Sequence, residues 1–145
     1  MKAWRLCIFL LIIGLLGCRK DETTPNDLLY RRWRMTQIQY NNGQSVDISA
    51  NDAGSIVTFK ANGMILYGED GKYDPCCLPD RFNRKGNILD LIDVQNIPLP
   101  ERTPNPTCAL VDCAPPGNVW QIDKLTSSSL IITQERAIAT YQPYP

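Results

Sequence analysis

The sequence predicts an all-β protein: an up-and-down antiparallel β-barrel of about eight short strands with a disulfide-stapled loop insertion. Three observations carry that expectation. Short apolar or alternating runs recur from Trp33 to the C-terminus, each bounded by Gly, Asn, Asp, Ser or Pro. An Asn62-Gly63 pair joins two such runs, the strongest short-range hairpin signal. No long stretch of helical period interrupts the series.

The elements follow in order. Asn26 or Asp27 caps one or two helical turns, pinned by Leu28 and Leu29. Trp33–Tyr40 is the first strand and ends at Asn41-Asn42-Gly43. Ser55–Ala61 and Met64–Gly68 form the clearest hairpin. A two-residue type I′ turn at Asn62-Gly63 sets Ala61 opposite Met64, Lys60 opposite Ile65 and Phe59 opposite Leu66. Val57, Phe59, Met64 and Leu66 then share one face, with Thr58 and Lys60 on the other. An apolar face opposite a more polar one suits an antiparallel sheet wrapped on a core. Asp80–Arg84 is a short strand that Gly86-Asn87 turns into Ile88–Asp93, with Leu89 and Leu91 pointing inward. Val119–Leu125 presents Trp120 and Ile122 to one side. Thr126–Ser128 turns into Ser129–Gln134, which buries Leu130 and Ile132, and Ala137–Tyr144 closes the series.

The N-terminus reads differently. Lys2 and Arg5 precede an apolar run, Leu6–Leu16, of eleven residues. A membrane-spanning helix needs about 20. A charged start, a short apolar run and a small residue before a cut describe a secretory signal instead. The residues Leu15-Leu16-Gly17-Cys18 resemble the lipobox of bacterial lipoproteins. That resemblance implies a signal peptide over 1–17, acylation of Cys18, and a membrane-anchored protein that begins at that cysteine. Arg19-Lys20-Asp21-Glu22 resemble the surface-export signal of some Gram-negative lipoproteins, which implies an outer-membrane, lipid-anchored protein at the cell surface. Read from chemistry alone, residues 18–26 are a solvated tether, which leaves 27–145 as the domain.

Composition excludes several functions. The full chain of 145 residues carries 15 basic and 15 acidic residues. Without residues 1–17 the basic count falls to 13, a net charge of about −2. That gives no electrostatic case for nucleic acid as a partner. Histidine is absent, which removes the usual general base near neutral pH and the commonest metal ligand. No catalytic residues, metal site or cofactor are expected, and the chain is not expected to be an enzyme.

Cys76, Cys77, Cys108 and Cys113 remain once Cys7 and Cys18 are set aside. An even count in an exported domain reads as two disulfides. A bridge between adjacent Cys76 and Cys77 would be strained, so both reach across to Cys108 and Cys113, in either pairing. A zinc site built from all four cysteines fits poorly, because the ligand pairs of such sites stand two to four residues apart. Val94–Asn118 holds six of the eleven prolines and two of these cysteines. Structureless loops longer than about 12–15 residues are usually functional or disordered. Cross-linking to Cys76 and Cys77 orders this one as a cap at one end of the sheet, lying over residues 69–80.

The early Leu28-Leu29 followed by Trp33, the Phe59-Lys60-Ala61-Asn62-Gly63 hairpin, Trp120 and Ile122 ahead of Leu130 and Ile132, and a tyrosine-bearing last strand together resemble the small lipocalin-like domains of bacterial lipoproteins. The resemblance covers roughly 27–145 without the cysteine insertion. It implies a lipocalin-like barrel that binds a small apolar ligand through Trp33, Phe59, Leu66, Trp120 and Tyr141. It also implies an arginine stacked on the first tryptophan, and Arg136 holds the matching position. Classical lipocalins have a glycine two residues before that tryptophan; here Arg31 stands there. They are also larger, and short strands enclose little volume, so the same residues can simply fill the barrel.

Two further sets have readings of their own. Glu69, Asp70, Asp74 and Asp80 offer oxygen ligands of the kind calcium needs, in a spacing that matches no EF-hand. Asp90 with Asp93, and Glu69 with Asp70, are candidate carboxylate pairs with nothing to place them in a cleft. Two function classes lead: a barrel holding an apolar ligand, and an envelope interaction protein that docks a protein partner through the 94–118 loop. Ile97, Leu99, Leu110 and Val111 supply the apolar surface for the second.

Overall fold

The computed structural model describes residues 27–114 and 117–145. The expected signal peptide, Cys18 and the tether fall outside the described residues. Nine strands are present among those described: β1 (Arg32–Tyr40), β2 (Ser45–Asp47), β3 (Ile56–Phe59), β4 (Ile65–Tyr67), β5 (Asn83–Lys85), β6 (Ile88–Asp90), β7 (Val119–Leu125), β8 (Leu130–Thr133) and β9 (Ala137–Pro143). They form one antiparallel sheet in the order β4-β3-β1-β9-β8-β7-β6-β5, with β2 paired to β1. The expected helical turn at 27–31 is a plain turn. The Asp27 carboxylate accepts from the Leu29 N–H at 2.9 Å, and Leu29 is buried beneath it.

The sheet is curled into a half-barrel around one core. Alternation explains which side chains enter it. Register links the inward residues from strand to strand: Tyr67 to Val57 to Trp33, Ile65 to Phe59, Met35 to Tyr141 to Leu130, Ala139 to Ile132 to Ile122, and Trp120 to Leu89. All of these are buried. Bulges between Met35 and Gln37 on β1, and between Ile122 and Lys124 on β7, add local twist that helps the sheet curl.

The two outer strands approach each other. Met64 and Arg81 form an antiparallel bridge. It is flanked by the Ile65 N–H donating to Asp80 O at 2.9 Å and the Phe82 N–H donating to Gly63 O at 2.8 Å. The join between β4 and the chain entering β5 is thus narrow, unlike the seven-residue pairing of β1 with β9.

The β3–β4 hairpin corrects the expected register. Phe59 faces Ile65 and Thr58 faces Leu66. Lys60 pairs with Met64 through its N–H at 2.9 Å, and the Gly63 N–H returns to Lys60 O at 3.0 Å. The loop therefore has three residues, 61–63. Gly63 takes φ +89°, while Asn62 does not enter the positive-φ region that a type I′ turn demands of both central residues. This is a type I turn followed by a left-handed glycine. A shift of one residue exchanges the faces of a strand. Ile65 and Tyr67 point inward, and Leu66 points outward beside Gly71. The Asn41-Asn42-Gly43 loop joins β1 to β2 with the same hydrogen-bond pattern, Tyr40 N–H to Gln44 O and Gly43 N–H to Tyr40 O.

Candidate functional site

Four of the five residues expected to contact a ligand meet in the interior. Trp33, Phe59, Trp120 and Tyr141 are all buried, and Tyr67, Ile65, Leu29 and Leu89 fill the space among them. Leu66 is not one of them, because the register puts it on the outer face. Phe59 meets Phe82 edge to face, centroids 5.8 Å apart. The Trp33 indole N–H donates to Leu29 O at 3.1 Å. The Tyr67 hydroxyl donates to Pro79 O at 2.7 Å. Burial raises the Tyr67 hydroxyl well above the ordinary tyrosine range, with the nearby Tyr141 hydroxyl adding to it, and burial raises Tyr141 as well. The Trp120 indole N–H has no partner among the described residues.

The arginine over Trp33 is Arg31, with its guanidinium carbon 4.2 Å from the ring centroid. It also reaches the β7–β8 turn, where Nη2 donates to Ser127 O at 2.6 Å. Arg136 is exposed in the β8–β9 turn, where its carbonyl accepts from the Asn41 N–H. Position along the chain suggested Arg136. Arg31 sits in the bend just before β1, where the glycine of classical lipocalins would stand, and chain position alone does not show which arginine meets the ring.

The four cysteines form two bridges, Cys76–Cys108 and Cys77–Cys113, with Cα separations of 5.0 and 5.2 Å. The segment they hold lies against residues 72–80 in the connection between β4 and β5, within the 69–80 stretch expected beneath it. It runs as a strap beside the join of β4 and β5. Ile97 O accepts both Nε and Nη2 of Arg81 at 3.0 and 2.8 Å. Arg102 pairs with Asp80 at 3.5 Å and with Asp74 at 3.9 Å. The Thr103 N–H donates to Lys72 O at 2.8 Å, and Tyr73 and Thr103 form a parallel bridge. Asn105 donates through Nδ2 to Asp74 O at 2.9 Å and accepts from the Thr107 N–H at 3.1 Å, capping a 3-10 turn over Pro106–Leu110.

That turn carries the apolar tip of the strap. Leu110 is 85% exposed, and Ala109 and Val111 are exposed beside it. Ile97 and Leu99, expected to belong to the same surface, are half-buried along the strap. Cys108 and Cys113 bracket the tip, so it is presented on a doubly cross-linked base.

The acidic residues are dispersed among protein partners. Glu69 accepts from the Tyr144 hydroxyl, Asp70 from the Lys72 N–H, and Asp74 and Asp80 face Arg102. Among the described residues no group of three or more acidic or sulfur side chains is placed to hold a metal ion. Asp90 forms a salt bridge with Lys85 at 2.9 Å. The hydrogen bond from Lys85, then those from the Ile92 and Asp93 N–H groups, lower the Asp90 carboxyl below its ordinary value.

Comparison with protein-family models, with curated proteins and with solved structures finds no match to this chain.

Proposed function

We propose that this chain is a lipid-anchored, non-enzymatic interaction module of the bacterial outer-membrane surface. Its domain is a small lipocalin-like barrel filled by its own side chains, and its stapled strap docks a protein partner of the envelope. One contrast carries this reading. The aromatic set that would line a ligand cavity is buried in the core cluster, while Leu110 stands in water on a base fixed by two disulfides. A large aliphatic side chain held out on a rigid turn gains about 1.5–3 kcal/mol when a partner buries it, and the ordering has already been done by the bridges. The lack of histidine argues against acid–base catalysis. Anchoring rests on the signal and Cys18, and stable attachment needs more than one acyl chain.

A photo-crosslinker placed at Leu110 in intact cells tests the docking claim. The expected result is a discrete adduct that disappears when Asp112 or Val111 beside it is replaced by arginine. Labelling that is diffuse, or that those replacements leave unchanged, sinks the claim. Cys18→Ala should move the protein to the soluble fraction, and its retention in membranes would rule out the lipid anchor.

A second reading, an apolar ligand inside the barrel, has one observation behind it. The buried Trp120 N–H has no partner among the described residues, and a ligand oxygen would supply one. Native mass spectrometry separates the two readings. A bare protein mass after incubation with fatty acids supports the filled barrel, and an added mass lost on denaturation supports the ligand.

A further inference from the structure

A cleft of about 170 Å³ opens beside Arg84. Four separate segments wall it: Tyr30 from the N-terminal turn, Asn62 from the β3–β4 loop, Phe82, Asn83 and Arg84 from the chain of β5, and Gln95 from the strap. Its volume is that of about six waters, close to what one sugar ring displaces.

The chemistry of the walls selects among small ligands. Arg84 is already neutralised, because Nη1 pairs with Asp27 and Nε donates to Gly86 O at 2.9 Å. An added anion would have to compete with that carboxylate. The remaining polar groups are neutral amides. Asn62 accepts from the Met64 N–H through Oδ1 at 3.3 Å, which turns its NH2 outward as a donor. The Asn83 and Gln95 amides have no side-chain partner among the described residues, and each offers both a donor and an acceptor. Hydroxyl groups also donate and accept, so amides match them where they do not match a bare charge. The Tyr30 ring, with the Arg84 guanidinium carbon 5.6 Å from its centroid, supplies apolar surface for C–H groups. Amide groups beside an aromatic ring suit a ligand ring that carries hydroxyls at its edge and C–H bonds on its faces.

We infer that this cleft binds one neutral sugar ring of a glycan. The inference is independent of docking through Leu110. It also differs from ligand binding inside the barrel, since none of Trp33, Phe59, Trp120 or Tyr141 lines the cleft.

The test is an NMR titration of the 15N-labelled full chain in detergent micelles, read at the side-chain amides of Asn62, Asn83 and Gln95. Glucose and N-acetylglucosamine are the probes, and glucuronate and glycerol 3-phosphate are the charged controls. One neutral sugar should give saturable shifts at these three amides, with a Kd of about 10 mM or below. Asn83→Ala and Gln95→Ala both change exposed side chains and should weaken that binding tenfold or more, with the backbone spectrum otherwise intact. The inference is overturned if neither sugar gives saturable shifts, if only the anions do, or if both variants bind as the parent does.

Discussion

Deleting the Cys77–Cys113 bridge alone, with serine at both positions, is expected to destabilise the domain far less than its span suggests. The bridge closes a loop with a sequence separation of 36, and Cys76–Cys108 one of 32. Each taken alone would stabilise by about 3.8 kcal/mol in the chain-entropy model. The two are not independent, because Cys76 and Cys77 are adjacent and Cys108 and Cys113 are five residues apart. Once one bridge has formed, the second closes a ring of only about six residues, which in the same model stabilises by about 2 kcal/mol. Removing either bridge should therefore cost about 2 kcal/mol, and removing both about 6. Urea denaturation of the parent, the two double-serine variants and the quadruple variant measures all four stabilities. Costs near 4 and 8 kcal/mol would refute the shared-loop reasoning. A quadruple variant within about 1 kcal/mol of the parent would show that the bridges do not hold the strap in the folded state or restrict the unfolded one.

Three further outcomes test the packing. Gly63→Ala should destabilise by about 2 kcal/mol or more, because its φ is +89° and a Cβ there would stand 2.5 Å from Phe82 O. Gly43→Ala, at φ +87° with nothing within 4 Å, should cost only about 1 kcal/mol; equal losses in thermal melts would remove the steric part of the argument. Arg31→Ala should cost about 1 kcal/mol through the lost stacking on Trp33, and Arg136→Ala should stay within about 0.5, with the reverse order contradicting the placement. Tyr67 and Tyr141 keep their protons to higher pH when folded than when unfolded, so their contribution is full below the ordinary tyrosine value of about 10 and is lost as pH rises beyond it. Stability measured by urea should fall above that pH by up to roughly 1.4 kcal/mol per pH unit for each tyrosine, and a flat profile to pH 11 would show that they are not buried as described.

The strands most legible in the sequence are those where burial alternates along a whole segment. Trp120 with Ile122 on β7, and Leu130 with Ile132 on β8, were readable because one face is core and the other is water. β2 was not readable, since Ser45, Val46 and Asp47 are all exposed and leave no pattern. At Asn62-Gly63 the turn was legible and its length was not. A two-residue type I′ loop and a three-residue loop ending in a left-handed glycine both accept Asn-Gly. Choosing between them required knowing that Tyr67 has a carbonyl partner at Pro79 inside, which lies twelve residues away. The same limit applied to the strap. Proline and cysteine content marked it as unusual, but its path is set by Arg81, Arg102 and Asn105 acting on residues 16 to 31 positions distant.

That path bears on why a loop rich in proline is tolerated beside a narrow join. Strands β4 and β5 have only three residues each, and strand edges with free N–H and C=O groups invite pairing with other chains. Proline has no N–H to offer such a partner, so a strap rich in it adds few free donors of its own. Its anchoring to the β4–β5 connection comes instead from the Arg81 and Arg102 side chains and from Thr103. Attachment and the exposed tip make opposite demands on a single segment: the first needs contact with the β4–β5 connection and the second needs freedom from it. The two bridges reconcile them by fixing Cys108 and Cys113 to Cys76 and Cys77 in that connection while Leu110, between them, stays exposed.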